Sequence, residues 1–249
     1  MNKTLLLNCV ALSLVSNITC AAHPEVKLSG KQYGVILGES RVIYPLNSKG
    51  VSISVNNPQD YPVLIQARVL NENKTGAAPF IVTPPLFRLD STQQSSLRIV
   101  QTETNFPNDK ESLQWLCVKG IPPKNDDLWA GSAGGASAEV GISLQIAIDN
   151  CIKMMLRPNG LKGSPSQFSG DIEWMVDRGK LTASNPTPYY MNLGKIKFGG
   201  KEVSPHFIPP KGKWTFDIPR GAGNQGSVTW QVINDQGGLG QEYSKKISF

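Results

Sequence analysis

The residues best suited to chemistry in this sequence of 249 residues are its four cysteines, Cys9, Cys20, Cys117 and Cys151. A thiol can bind a metal, attack a substrate or form a disulfide, and the neighbouring sequence separates these roles. The cysteines form no C-x-x-C motif, no H-E-x-x-H motif occurs, and the chain has two histidines. We therefore expect no metal site and no catalytic thiol, which leaves disulfide formation.

Residues 1–22 have the pattern of a secretory signal peptide. Lys3 precedes an apolar run at residues 5–15, and small residues follow, which is the order of charge, apolar core and cleavage site in such peptides. A lipoprotein signal that lipidates Cys20 is the alternative, although residues 17–19 match it poorly. No later stretch approaches the roughly 18 apolar residues that span a bilayer. We therefore expect the mature chain to be exported and soluble.

Removal of the signal peptide leaves Cys117 and Cys151 as the remaining cysteines. An exported protein meets an oxidising compartment, where such a pair of thiols forms a disulfide. We predict this bond, and in the chain-entropy account it contributes about 3–4 kcal/mol to stability. It would tie together the base of the loop between the cysteines, of which residues 131–138 are rich in glycine and alanine and are expected to be flexible.

Other catalytic and cofactor motifs are missing from the sequence. Residues 221–226 spell G-x-G-x-x-G, but a dinucleotide-binding loop must open a helix, whereas a strand pattern follows at residues 227–233. We interpret these glycines as a hairpin loop. Because there is neither a nucleophile elbow nor a phosphate loop, we expect no enzyme and no cofactor. The formal net charge of +6 comes from scattered Lys and Arg, without the basic stripe typical of nucleic-acid binding.

The stretch that organises the chain covers residues 139–158. Large aliphatic residues alternate there with small or polar ones, and Val140, Ile142, Leu144, Ile146 and Ile148 occupy every second position. A period of two predicts a β-strand with one apolar face. The strand continues to residue 156 and ends at Arg-Pro, before a polar stretch that contains glycine. This unusually long strand is therefore expected to close one domain and lead into another.

The rest of the sequence consists of short apolar runs separated by Gly, Pro, Asn and Asp, the pattern of an all-β protein. The runs restart after the long strand, which predicts two β-sandwiches with a boundary between residues 157 and 163. The predicted strands of the first half cover residues 26–33, 35–44, 51–55, 61–70, 80–83, 86–89, 95–101 and 111–118. Those of the second half cover residues 172–176, 180–183, 189–193, 195–198, 214–218, 228–233 and 243–249.

Four longer segments resemble the periplasmic chaperones of the chaperone–usher pathway, which assemble pili and surface fibres in Gram-negative bacteria. They cover residues 106–123, 151–158, 185–190 and 233–238, and the similarity extends over essentially the whole mature chain. Cys117 stands where the pilus-type branch usually has Asn. With Cys151 it resembles the long-loop, disulfide-containing FGL branch, which serves thin fibres, capsule-like antigens and non-fimbrial adhesins. The loop at residues 131–138 is rather short for that branch.

This resemblance implies an all-β protein with two immunoglobulin-like β-sandwich domains in an L-shaped arrangement. Residues 1–22 would be the signal peptide, residues 23–158 the N-terminal domain with the subunit-binding edge, and residues 159–249 the C-terminal domain. It also implies a non-enzymatic chaperone of the periplasm that binds, folds and caps fimbrial or adhesin subunits and delivers them to an outer-membrane usher. Each subunit lacks the last strand of its own sandwich, and the chaperone lends one.

On this basis we expect Val140, Ile142, Leu144, Ile146 and Ile148 to be the donated row. Without the resemblance, the simpler interpretation is that the row faces the chain's own core, as in any sandwich strand. Residues 26–33 are expected to add edge contacts to the subunit. Self-association of the free chaperone through the same row is an option that the sequence leaves open.

The resemblance also assigns two sets of charged residues. Arg41 and Lys153 are expected to converge on the C-terminal carboxylate of the subunit and so fix the register of the added strand. Glu111, Arg157 and Asp235 are expected to form an ion network between the domains that sets their angle. Without the resemblance, each of these would be an ordinary surface charge.

A structural fibre subunit or adhesin is the alternative function. Such a subunit should be a single incomplete domain with its donor segment at the mature N-terminus. This sequence instead has two sets of strands and carries its alternating row in the middle. The five tryptophans could form the sugar-binding platform of an adhesin, but most lie within alternating strands and are expected in the core.

Overall fold

The computed structural model describes residues 27–123, 127–128, 141–223 and 226–247. The predicted signal peptide at residues 1–22, the glycine-rich residues 131–138 and Val140 lie outside the described residues. Within the described part of the chain, no helix is both long enough and apolar enough to cross a membrane.

The first half of the described chain forms two facing sheets and a separate strand pair. The sheets have the strand orders β3-β11-β9-β5-β7 and β2-β4-β8-β6, and β1 pairs with β10. Alternate residues of the sheet strands point inward, so that Val63, Ile65, Ala67 and Val69 of β5 are buried in the core between the sheets. The strands are β1 (Lys27–Tyr33), β2 (Ile36–Leu37), β3 (Arg41–Pro45), β4 (Val51–Asn56), β5 (Val63–Leu70), β6 (Phe80–Thr83), β7 (Leu86–Leu89), β8 (Gln94–Gln101), β9 (Ser112–Ile121), β10 (Gly141–Ala147) and β11 (Asp149–Arg157).

The second half begins with a short 3-10 helix at Pro165–Asp171 and continues as a second sandwich. Its sheets have the orders β12-β13-β17 and β15-β14-β18-β19, and β16 also pairs with β14. Trp174 and Trp230 pack in the core between them, as the alternating patterns predict. The strands are β12 (Glu173–Asp177), β13 (Lys180–Ser184), β14 (Met191–Phe198), β15 (Lys201–Glu202), β16 (Phe207–Ile208), β17 (Lys213–Asp217), β18 (Gly226–Ile233) and β19 (Leu239–Ile247).

The prediction of an all-β fold with two sandwich domains is confirmed. One hydrophobic core draws on residues 33–156 and the other on residues 172–247. The domain bounds at residues 23–158 and 159–249 stay a prediction.

Several strands differ in detail from the sequence patterns, and residues 35–44, for example, contribute to both β2 and β3. The long strand is divided at Ile148, whose N–H donates to the Tyr33 carbonyl at 2.9 Å and whose carbonyl accepts the Gly120 N–H at 3.0 Å. At this residue the chain changes its neighbour from β1 to β9. The backbones approach closely here, because a Cβ on Gly120 would lie 2.2 Å from the Tyr33 carbonyl oxygen. In the second half, two predicted strands join into β14, because an irregularity between Leu193 and Lys195 lets one strand continue.

Candidate functional site

A row of aliphatic side chains is exposed to solvent along β10 and at Ile148, the residue that follows it. The exposed fractions of Ile142, Leu144, Ile146 and Ile148 are 61%, 52%, 41% and 37%, whereas such side chains are normally among the most buried in a protein. Val140, the first residue of the expected row, lies outside the described residues. The described part of the row therefore does not face the chain's own core, so the simpler interpretation of the pattern does not hold.

The strand that carries this row has one paired edge. β10 runs parallel to β1, from Gly141 opposite Lys27 to Ala147 opposite Tyr33, and no other described strand pairs with it. Backbone groups at an unpaired edge can extend a sheet with a strand from another chain. The pair of strands thus combines an open edge with alternating apolar side chains, which are the two requirements of strand addition.

A disulfide and an ion pair hold the start of β11, just after the end of β10. Cys117 of β9 and Cys151 of β11 lie directly opposite each other and form the predicted disulfide, with their Cα atoms 4.0 Å apart. This prediction is confirmed. Beside the bond, Arg68 forms an ion pair with Asp149. The exposed strand therefore leaves the domain next to a cross-linked pair of strands.

Arg41 and Lys153 lie side by side on the sheet of the first domain. They are opposite each other in the parallel pairing of β3 with β11. Among the residues that the structure describes, neither forms an ion pair with a carboxylate. Like charges at this spacing repel each other, so the pair is suited to an anion that comes from another molecule.

Lys153 is partly buried between the two domains. Its Nζ donates to Asn192 Oδ1 at 2.6 Å and lies 4.6 Å from the ring centroid of Phe207. Burial, together with the positive charges of Arg41 and Lys74, lowers the pKa of Lys153 to about 8. A carboxylate beside this ammonium group would offset both causes of the shift, because it favours the charged form.

The guanidinium of Arg41 is also partly buried. Its Nε is buried and has no hydrogen-bond partner among the described residues. Burial lowers the pKa of Arg41, while Asp235 acts in the opposite direction. A cavity of about 310 Å³ opens beside the side chain and is also lined by Glu39 and Gln236. A buried donor next to open space can be satisfied by the oxygen of an incoming carboxylate.

Arg157 joins residues from both halves of the chain. Its Nε donates to Glu111 Oε1 at 2.7 Å, and its terminal nitrogens donate to the two carboxylate oxygens of Asp235 at 2.7 and 2.8 Å. Glu111 is 2% exposed, and its Oε2 accepts the backbone N–H of Tyr190 at 2.8 Å. Burial raises the pKa of Glu111, and Arg157 acts against that shift. The structure thus brings the three expected residues together, while their effect on the domain angle stays a prediction.

The aromatic side chains that pack between the two domains near Lys153 were not predicted from the sequence. Tyr190 of the second domain packs against Leu113, and Trp115 and Phe207 lie against the same cluster. Their proximity depends on how the two domains meet, which no local pattern reveals. The nearest signal in the sequence is the segment at residues 185–190, which ends in Tyr190.

Comparison with protein families finds a match for each half of the chain. Residues 34–162 match the pili and flagellar-assembly chaperone family, PapD N-terminal domain. Residues 167–244 match the C-terminal domain of the pili assembly chaperone PapD. The two matches together cover most of the described residues.

Individual relatives and structures match over most of their length. Chaperone protein caf1M of Yersinia pestis is 51% identical over 100% of this chain and 99% of its own length, and chaperone protein AggD of Escherichia coli is 41% identical over 96% and 95%. The crystal structure of the E. coli chaperone DraB matches with a TM-score of 0.77 and 40% identity, over 89% of this chain and 100% of its own. The structure of Salmonella enterica SafA pilin in complex with the SafB chaperone matches with a TM-score of 0.78, 39% identity and the same coverage.

Proposed function

This chain belongs to the family of pili assembly chaperones, and on that premise we propose that it binds, folds and caps subunits of a fimbrial or adhesin fibre by donor-strand complementation. It works in the periplasm, needs no cofactor, catalyses no reaction and delivers its subunits to an outer-membrane usher. The solved pair of SafA pilin and SafB chaperone supports a pilin-like client.

The observation that carries this proposal is the exposed row on β10. A subunit that lacks its last strand has an apolar groove and an unpaired edge, and β10 offers the complementary features. The four described side chains of the row, buried at about 1.5–3 kcal/mol each, would contribute roughly 6–12 kcal/mol before the costs of association. A strand of this kind can hold a client without any chemical step.

The cation pair sets the register of the added strand. Arg41 and Lys153 bind the C-terminal carboxylate of the subunit through charge-assisted hydrogen bonds. Lys153 follows Ile148 by five positions along the chain, so the anchor lies about 16 Å beyond the row if the strand geometry continues. A fixed end point matters, because a slip by one residue would turn every side chain of the row away from its pocket.

Co-expression in the periplasm with the fibre subunit encoded beside this gene tests the proposal. The wild-type chain should co-purify with the subunit in a one-to-one complex. Lys153→Ala should recover about tenfold less subunit, because a charge-assisted hydrogen bond contributes about 1.5–3 kcal/mol. Lys197→Ala, which removes an exposed lysine of the second domain, is the matched control and should behave as the wild type does.

The possible outcomes separate the role from the anchor. If all three proteins capture the subunit equally, the chaperone role stands and the assignment of Lys153 is wrong. If the wild type captures no subunit, the chaperone role itself is contradicted, and a structural role in the fibre becomes the better explanation.

A further inference from the structure

One lateral row of residues crosses the face of the sheet that carries the cation pair. Arg41 lies opposite Lys153, Lys153 opposite Trp115, and Trp115 opposite Leu70. Residues directly opposite in neighbouring strands point to the same face of a sheet. The chain leaves β5 at Leu70 and turns, which brings Lys74 over Trp115 at the end of the row that is far from Arg41.

Two ammonium groups share the indole ring in the middle of this row. The Nζ of Lys74 lies 3.7 Å from the ring centroid of Trp115, and the Nζ of Lys153 lies 6.0 Å from the same centroid. Their separation is therefore no larger than the Debye length of about 10 Å at 0.1 M salt. A carboxylate bound at Lys153 is attracted by both charges, and the contact with the indole face keeps Lys74 in place.

The turn that presents Lys74 is fixed to both domains. The carbonyl of Glu72 accepts the indole N–H of Trp115 at 2.8 Å, and its side-chain Oε1 accepts the hydroxyl of Tyr190, in the second domain, at 3.0 Å. Within the turn, the N–H of Lys74 donates to the carbonyl of Asn71 at 2.9 Å. The backbone position of Lys74 is thus fixed by contacts within the chain itself.

The backbone of Lys74 adopts a conformation that most residues with a side chain avoid. The φ angle of Lys74 is +60°, which lies in the left-handed region that glycine and asparagine adopt most readily. The turn itself therefore favours glycine or asparagine at this position. Strain at a single residue beside a binding site is a reason to look for a role of its side chain.

We propose that Lys74 is a third cation of the carboxylate site, which faces the C-terminus of the subunit from the side of Trp115. This inference rests on the proposed function and extends it to a residue on a turn outside the sheet. Among the described residues, Lys74 forms no ion pair with a carboxylate. Arg41, Lys153 and Lys74 place three positive charges around the position proposed for the subunit carboxylate, while Glu39 and Asp235 line the cavity beside Arg41.

Subunit exchange measures the contribution of Lys74. Tagged complexes of each variant with the fibre subunit encoded beside this gene are mixed with an excess of untagged wild-type chaperone, and the rate of subunit transfer is followed. Lys74→Gln should raise that rate about fivefold at low salt, the upper end of what an exposed ion pair contributes. The difference should shrink in high salt because the charges are screened. Lys74→Arg should exchange at nearly the wild-type rate.

Two further variants separate binding from folding. Lys74→Gly suits the positive φ, so it should leave the thermal midpoint of the free chaperone unchanged or higher and still exchange as fast as Lys74→Gln. A subunit extended by two glycines at its C-terminus displaces the carboxylate, and Lys74→Gln should then have no additional effect. An effect that persists with this extended subunit would contradict the assignment to the carboxylate.

The failure of this inference differs from the failure of the proposed function. If Lys74→Gln exchanges as slowly as the wild type while Lys153→Ala loses the subunit, the third cation is refuted and the chaperone role stands. If the wild type captures no subunit, both proposals are refuted.

Discussion

At the scale of single residues, the surroundings of Lys153 determine its pKa in the free chain. Its Nζ donates to a neutral acceptor, the side-chain oxygen of Asn192, at 2.6 Å, and the charges that shift its pKa, those of Arg41 and Lys74, are positive. Burial and like charge both disfavour the protonated form. Both effects lower the pKa of Lys153 in the free chain, and the carboxylate that we propose binds there would offset them.

This environment predicts how stability depends on pH. The folded pKa of Lys153, about 8, lies below its ordinary value of 10.5, so between these values the unfolded chain binds more protons than the folded one. The free energy of unfolding must then rise with pH across this window. Relative to Lys153→Met, which cannot titrate, the wild type should gain about 1–2 kcal/mol between roughly pH 8 and pH 10, after allowance for partial solvation.

Urea denaturation of both proteins at a series of pH values checks this expectation. Parallel curves for the wild type and Lys153→Met would show that the ammonium group is not destabilised in the folded chain. The gain should also be smaller in the presence of bound subunit, because its carboxylate restores the pKa.

At the scale of elements, β10 and β11 divide one continuous pattern between two tasks. Before Ile148 the alternate side chains are exposed, whereas Met154 and Leu156 beyond it are fully buried. The change occurs where the chain exchanges β1 for β9 as its neighbour. The same period of two therefore exposes the apolar side chains in one half of the stretch, where we propose that the subunit binds, and buries them in the domain core in the other.

This division predicts that binding and stability can be changed separately. Leu144→Ser should leave the free energy of unfolding within about 0.5 kcal/mol of the wild type, because the side chain is exposed. It should weaken subunit capture about 10- to 100-fold, since a buried leucine contributes about 1.5–3 kcal/mol. Denaturation and co-purification measure the two effects.

Ile81→Ser is the control for this experiment. Ile81 is 57% exposed on β6, away from β10, so its replacement should affect neither capture nor stability. Equal loss of capture in Leu144→Ser and Ile81→Ser would show that β10 has no special part in binding.

At the scale of the whole molecule, the two domains meet through a charged cluster beside an apolar one. Arg157 binds Glu111 on its own domain and Asp235 on the other, and the apolar cluster of Leu113, Met155 and Tyr190 lies nearby. Because Glu111 is 2% exposed, its charge depends on these partners. The network couples the end of β11, which follows the cation site, to the loop after β18.

Removal of Arg157 should therefore be costly. Arg157→Met leaves a buried carboxylate without its partner, and the free energy of unfolding should fall by about 3–5 kcal/mol. In a double-mutant cycle with Glu111→Gln, the coupling energy should exceed about 1 kcal/mol. A coupling near zero would mean that the residues act independently. Arg88→Met, which breaks an exposed pair with Asp90, should cost less than about 1 kcal/mol in the same assay.

The sequence by itself determined the features that depend on local order. Alternation every two residues and turn residues between the runs indicated an all-β chain in two parts, because strand faces follow directly from the period. The pairing of Cys117 with Cys151 followed from the small number of cysteines left after export. The proposed roles of the donor row and of the charged residues came from the family resemblance of longer segments. Without it, the row would have been interpreted as part of the core and the charges as ordinary surface residues.

The tertiary structure decided what each pattern faces. The same alternation is expected for a row that faces the chain's own core and for a row that binds another protein. The exposure of Ile142 and Leu144 shows that this row does not face the core. The surroundings of Lys153 likewise depend on Asn192 and Phe207, which are distant in sequence and arrive when the two domains pack. The burial of a group and its protonation depend on all of the residues that surround it. Most of these residues are distant in sequence, so no local stretch of sequence can predict them.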